Sequence, residues 1–156
     1  MVEEVPELTE INKLLNTLLL ITNDVYNSLG PGYNEVIYHR AFEVALRLNG
    51  LNYESEVITP IIYKGHNIGH GRVDLIVNKV MIIELKAIAN LNNMDYIIQI
   101  KNYMKQHNIT DGLVINFGQC TNKAITGSVG IKYLNGTNNQ IFNFVNGTFV
   151  EFTQTP

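Results

Sequence analysis

Apolar residues recur at helical spacing through Ile11, Leu14, Leu15, Leu18, Ile21, Val25 and Leu29. This period predicts a helix with one buried stripe, capped by Thr9 and stopped by Gly30-Pro31-Gly32. Val36, Ile37, Ala41, Val44, Ala45 and Leu48 predict a second helix over residues 33–48, closed by Asn49-Gly50. At Tyr53 the period falls to two. Tyr53, Ser55, Val57 and Thr59 alternate with Glu54, Glu56 and Ile58, as in a half-exposed strand that Pro60 bends or places at an edge. Lys64-Gly65 turns the chain into a second strand ending at Val77, and Asn78-Lys79 turns it again into a third strand over residues 80–87. A polar loop at 90–93 leads to a helix over 94–107, with Ile97, Ile98, Ile100 and Met104 apolar. Residues 112–118 read as a short buried strand. Asn-Gly turns then separate Tyr133, residues 141–145 and residues 149–152, which read as small hairpins. This order predicts an α/β chain of the α+β or mixed-sheet kind.

Composition narrows the class. A chain of 156 residues, 46% hydrophobic and 16% charged, is globular, and its length suits one domain with an ordinary core. The net charge of −3 provides no broad basic surface, so a nucleic-acid partner would have to be held locally or through a metal. The single cysteine, Cys120, excludes an internal disulfide and a multi-cysteine zinc site. A free thiol fits a reducing compartment, and a cytoplasmic location is expected. The first ten residues are acidic where a secretory signal would be basic. The apolar stretch 14–21 is interrupted by Asn16 and Thr17 and is too short to cross a bilayer, so no membrane partner is expected.

Against this background the run from Val73 to Ala87 is unusual, because Asp74, Glu84 and Lys86 interrupt an otherwise apolar hairpin. Charges in such a run are costly unless paired or used. On the third strand Met81, Ile83 and Leu85 form one apolar face, while Ile82, Glu84 and Lys86 share the other. The turn at 78–79 brings Asp74 beside or near Glu84. Two carboxylates and an ammonium on one face form either a salt-bridged cluster or a hard-cation site. In the second case the acids hold Mg²⁺ or Mn²⁺ and the lysine orients or activates water. Glu35 and Tyr38 lie three apart on one face of the second helix. Glu35 also suits a helix start on dipole grounds alone. Gln99 and Tyr103 share a helix face with Asp95. His66 and His70, about 13 Å apart on one strand face, are too far apart to share a metal.

Gly32-x-x-Glu35-x-x-Tyr38, Tyr63-Lys64-Gly65, Asp74-Leu75-Ile76-Val77, Glu84-Leu85-Lys86-Ala87, Gln99-x-x-x-Tyr103 and Leu113-x-Ile115-Asn116-Phe117-Gly118 occur in this order. Together, over about residues 14–118, they resemble the GxxExxY proteins of the PD-(D/E)xK nuclease superfamily, although Val73 stands where the superfamily name has proline. The resemblance implies a restriction-endonuclease-like core, a central mixed β-sheet flanked by α-helices. Residues after Ile131 have no counterpart in that resemblance, and their turns predict a C-terminal β-hairpin extension to the core that it implies. The resemblance also implies Asp74 and Glu84 as metal ligands, with the Leu85 carbonyl and Glu35 completing the site, and Lys86 as the water-activating or charge-stabilising cation. Gln99, Tyr103 and Tyr38 would support the site or the nucleic acid. The implied activity is Mg²⁺- or Mn²⁺-dependent hydrolysis of DNA in repair, recombination or processing. The arginine expected near Lys123 is absent. A structure-selective endonuclease like the Holliday-junction resolvases, which a homodimer would favour, and a catalytically silent nucleic-acid-binding protein are the alternatives.

Overall fold

A computed structural model describes residues 9–89, 95–121, 124–126 and 130–152, with the side chains of 119–126 left out. The loop expected at 90–93, Met94 and Lys123 lie outside the described residues. Helix α1 (Glu10–Leu29) starts where the pattern places it, with the Thr9 hydroxyl accepting the Asn12 N–H at 3.3 Å. Gly30 ends it at φ 71°, a conformation that costs glycine little, and its N–H bonds the Tyr26 carbonyl. Helix α2 (Glu35–Leu48) starts two residues later than the apolar spacing suggests. Asn34 takes the N-cap position, so Glu35 is the first helical residue.

Three strands follow: β1 (Tyr53–Tyr63), β2 (His66–Val77) and β3 (Met81–Lys86). Next come α3 (Asp95–His107) and β4 (Asp111–Asn116). Strands β5 (Gln119–Thr121) and β6 (Ala124–Thr126) form a separate small ribbon that apolar patterning does not reveal. The chain continues through β7 (Gly130–Asn135), β8 (Gln140–Val145) and β9 (Thr148–Glu151). The main sheet has the order β1-β2-β3-β4-β7-β8-β9 and is mixed, because β3 and β4 run parallel while their neighbours run antiparallel.

The sheet separates two cores. Leu14, Leu18 and Ile21 of α1 and Phe42 and Leu46 of α2 pack on Leu75, Met81, Ile83, Leu85, Leu113 and Ile115. On the other face Ile97, Ile100 and Met104 of α3 pack on Ile76, Ile82 and Val114. Strands β3 and β4 are therefore covered on both sides, which explains their continuous apolar runs. The tail is not a set of free-standing hairpins. Strand β7 pairs with β4 from Asp111↔Asn135 to Asn116↔Gly130 and buries Ile131, Tyr133 and Leu134. The Tyr133 hydroxyl donates to Asp111, while Phe142 and Phe149 pack on the Tyr133 ring. Local turn signals fix the β7–β8 and β8–β9 hairpins, but cannot show that a distant strand supplies their partner.

Helix α3 meets β2 at a close approach. A Cβ at Gly71 would lie 2.5 Å from the Tyr103 hydroxyl and 2.8 Å from its ring. That hydroxyl accepts the Arg72 N–H at 3.1 Å. Gly71→Ala is expected to destabilise the fold by about 1–3 kcal/mol through overpacking. Much of that cost should disappear in a Tyr103→Leu background, as double-mutant urea denaturation would show.

Candidate active site

The hairpin of β2 and β3 is a regular ladder at its turn end, from Val77↔Met81 to Leu75↔Ile83. The next rung would pair Asp74 with Glu84, but backbone pairing stops there. Side chains close the gap. The Asp74 carboxylate accepts the Leu85 N–H at 2.8 Å, and the Glu84 carboxylate accepts the Asp74 N–H at 3.3 Å. On the other edge of β2, Glu56 and Asp74 are also skipped, between the pairs Ser55↔Leu75 and Val57↔Val73. Glu56 has φ 54°, a left-handed conformation that a non-glycine residue adopts at some cost. Across this break the strands change face. Tyr53 and Leu75 pack on the α1/α2 core, while Val57 and Val73 pack on the α3 core. Asp74 thus sits where β2 is released from both neighbours.

The structure brings the acids together. Glu84 is only 4% exposed. Burial first, and then the nearby Asp74 carboxylate, push its carboxyl up to about 8. Lys86, half-buried on the same face of β3, holds its ammonium 5.0 Å from the centre of the Tyr96 ring. Glu35 stands exposed at the start of α2. Partial desolvation and then Asp74 raise its carboxyl, while Lys86, His39 and Arg72 act in the opposite direction. The donors near Asp74 and Glu84 are oxygens, and their mutual crowding is what a hard divalent cation would relieve. The residues therefore fit Mg²⁺ or Mn²⁺, with Asp74 and Glu84 as the candidate holders. Among the described residues no three His, Cys, Asp or Glu side chains form a ready metal cluster.

Aromatic packing fixes the start of α2. Tyr38 is fully buried, so it supports the fold and does not present a nucleic-acid surface. Its ring stacks on Phe117 with centroids 4.4 Å apart and planes at 4°, and its hydroxyl donates to the Gly30 carbonyl at 2.7 Å. The residue before Phe117 holds the chain that leaves the site. Buried Asn116 accepts the N–H groups of Ile88 and Gly118 at 2.9 and 3.1 Å and donates to the Ile88 carbonyl at 2.9 Å. Phe117 N–H bonds the Lys86 carbonyl at 2.9 Å. The Asn-Phe-Gly segment therefore anchors both the helix of Glu35 and the strand end carrying Lys86.

On α3 the Gln99 side chain donates to the Tyr103 hydroxyl at 3.3 Å, and Tyr103 bonds the Arg72 backbone two residues before Asp74. Sequence reasoning passed over Arg72, although it shares strand parity with Asp74. Its guanidinium, 3.5 Å from the Glu56 carboxylate, influences Glu35. Tyr96, whose ring lies under the Lys86 ammonium, was passed over in the same way. Nothing local ties that residue to Lys86. His66 and His70 are exposed and outside this cluster.

Two outcomes follow from this geometry. Glu84 is protonated in both folded and unfolded chains below about pH 4.5. Between there and about 8 the unfolded chain ionises while the folded one resists, so stability is lost as pH rises through that window. In chelator-treated protein, Glu84→Gln should gain melting temperature over wild type progressively across the window and level off above it, as circular dichroism would show. Asn116→Ala orphans buried backbone groups and is expected to cost about 1–3 kcal/mol in urea denaturation.

A solved structure described as SSO0001 shares 24% identity with this chain at a TM-score of 0.50, covering 64% of this chain and 48% of the other. This chain thus spans about half the length of that neighbour, and the likeness concerns the fold. No curated protein matches. The model of the PD-(D/E)XK nuclease superfamily matches residues 12–127, a span that takes in both strand acids, Lys86, Glu35 and the Asn-Phe-Gly segment. With this match over most of its length, the chain belongs to the PD-(D/E)XK nuclease superfamily.

Proposed function

We propose that this chain is a divalent-cation-dependent deoxyribonuclease, of the GxxExxY kind within its superfamily, acting in DNA repair, recombination or processing. One observation carries the reading. Asp74 and Glu84 meet at a gap in the sheet, beside Lys86, with Glu84 desolvated. A structural ion pair would bring the lysine onto the carboxylates, yet the Lys86 ammonium lies over Tyr96.

Phosphodiester hydrolysis requires an attacking water and stabilisation of charge on the phosphoryl oxygens. A bound Mg²⁺ or Mn²⁺ would supply Lewis acidity at the phosphate and make a water easier to deprotonate. Asp74 and Glu84 would hold that cation, with the Leu85 carbonyl available between them and Lys86 in sequence. Lys86 would orient the water or neutralise a phosphoryl oxygen. Glu35, at the helix start and within electrostatic reach of Asp74 and Lys86, would complete the site as a further ligand or accept a hydrogen bond from the water. Tyr103 and Gln99 would keep β2 in place from the α3 side.

The test is cleavage of linear, nicked, supercoiled and junction DNA with Mg²⁺ or Mn²⁺, alongside metal-dependent melting. Asp74→Ala and Glu84→Ala should abolish cleavage and the metal-induced rise in melting temperature while the fold survives. Lys86→Met should lower the rate by about 10²–10⁴-fold, the usual weight of a positioned proton-transfer group. Undiminished cleavage by both acid variants would overturn the site. Preferential cleavage of junctions would favour a resolvase-like enzyme.

A further inference from the structure

A cleft of about 880 Å³ opens between α3 and the outer part of the β1–β2 hairpin, bounded by Tyr103 and with neither Asp74 nor Glu84 in its lining. We propose that this cleft receives unpaired nucleobases, so that the substrate is presented to the site as single-stranded DNA; the substrate assignment rests on the nuclease reading above. Three observations support it. Ile61 on the hairpin and Ile98 on the helix line the cleft, yet remain 45% and 57% exposed. Apolar side chains in an open, polar-lined concavity suit the faces of planar rings. With exposed His70 they provide surfaces on which a base can stack.

The second observation is hydrogen-bonding capacity. Gln99, Asn102 and Gln106 line the cleft along one helical face, at spacings of three and four. Side-chain amides donate and accept, and so match the mixed edges of bases better than phosphate. Those edges are free only when the strand is unpaired.

The third is charge and continuity. Asp95 and Lys105 are the formally charged lining residues and offset one another, so the cleft has no net attraction for phosphate. The cations Lys86 and Arg72 are not among the lining residues; they act on the Glu35 carboxyl, and Arg72 pairs with Glu56 at 3.5 Å. Tyr103 joins the two regions, lining the cleft while its hydroxyl bonds the Arg72 backbone. The hairpin is held beside α3 by the Thr59 hydroxyl on His107 at 2.7 Å and by Gln106 on the Pro60 carbonyl at 3.4 Å. The cleft therefore has two fixed walls.

Fluorescence anisotropy in calcium buffer tests this with three probes: labelled oligothymidylate, a blunt duplex of equal length, and an abasic deoxyribose-phosphate strand. Wild type should bind oligothymidylate at least about tenfold more tightly than either of the others, within the weight of one stacked base. Ile98→Glu and Asn102→Ala should each remove most of that preference without altering hydrolysis of a small chromogenic phosphodiester. Ile61→Ser, on the opposite wall, serves as an independent variant. Equal binding of the abasic strand, or variants that leave the preference intact, would overturn the cleft assignment. Base-dependent binding with no hydrolysis of any substrate would support the cleft while overturning the nuclease reading.

Discussion

The site depends on an exchange of backbone pairing for carboxylate pairing where β2 and β3 separate. Asp74 and Glu84 each accept an N–H from the other strand, so the sheet loses a rung without orphaning those donors. A continuous ladder would leave no gap between the strands. An opening closed by apolar side chains would leave amides buried without partners. Acids solve the structural problem and create a chemical one, because two carboxylates now crowd a desolvated space. The raised Glu84 carboxyl is the electrostatic expression of that conflict, and a cation is the ordinary means of resolving it.

The surrounding fold holds the gap from several sides. Gly71 lets the Tyr103 ring press against β2, and the Tyr103 hydroxyl takes the backbone N–H of Arg72. Asn116 fixes the chain just beyond Lys86, while Phe117 stacks on Tyr38 and so fixes α2 at the end where Glu35 begins. The short motifs therefore form one mechanical unit: glycine for approach, asparagine for backbone closure and aromatics for helix placement. None of these three roles requires contact with substrate.

Much of this was legible in the chain. The Thr9 cap, the Gly30 stop, the Lys64-Gly65 turn and the two-period of β1 follow from local rules, because each depends on neighbouring residues. The parity of β3 correctly separated Met81, Ile83 and Leu85 from Ile82. Parity failed across Asp74, because the break opposite Glu56 turns the hairpin over, so that Val73 and Leu75 enter different cores. A left-handed glutamate leaves no mark in composition.

The sequence by itself determined the helices, the hairpins of the main sheet and the placing of charged residues inside an apolar run, since these depend on spacing and local turn chemistry. It also determined the superfamily, through motifs in a fixed order. Tertiary structure decided where β7 pairs, that Tyr38 packs inward, that Lys86 rests on Tyr96, and that a second cleft lies beyond Tyr103. Each of those joins residues distant in the chain through packing or desolvation, and such contacts arise only when separate elements close on one another.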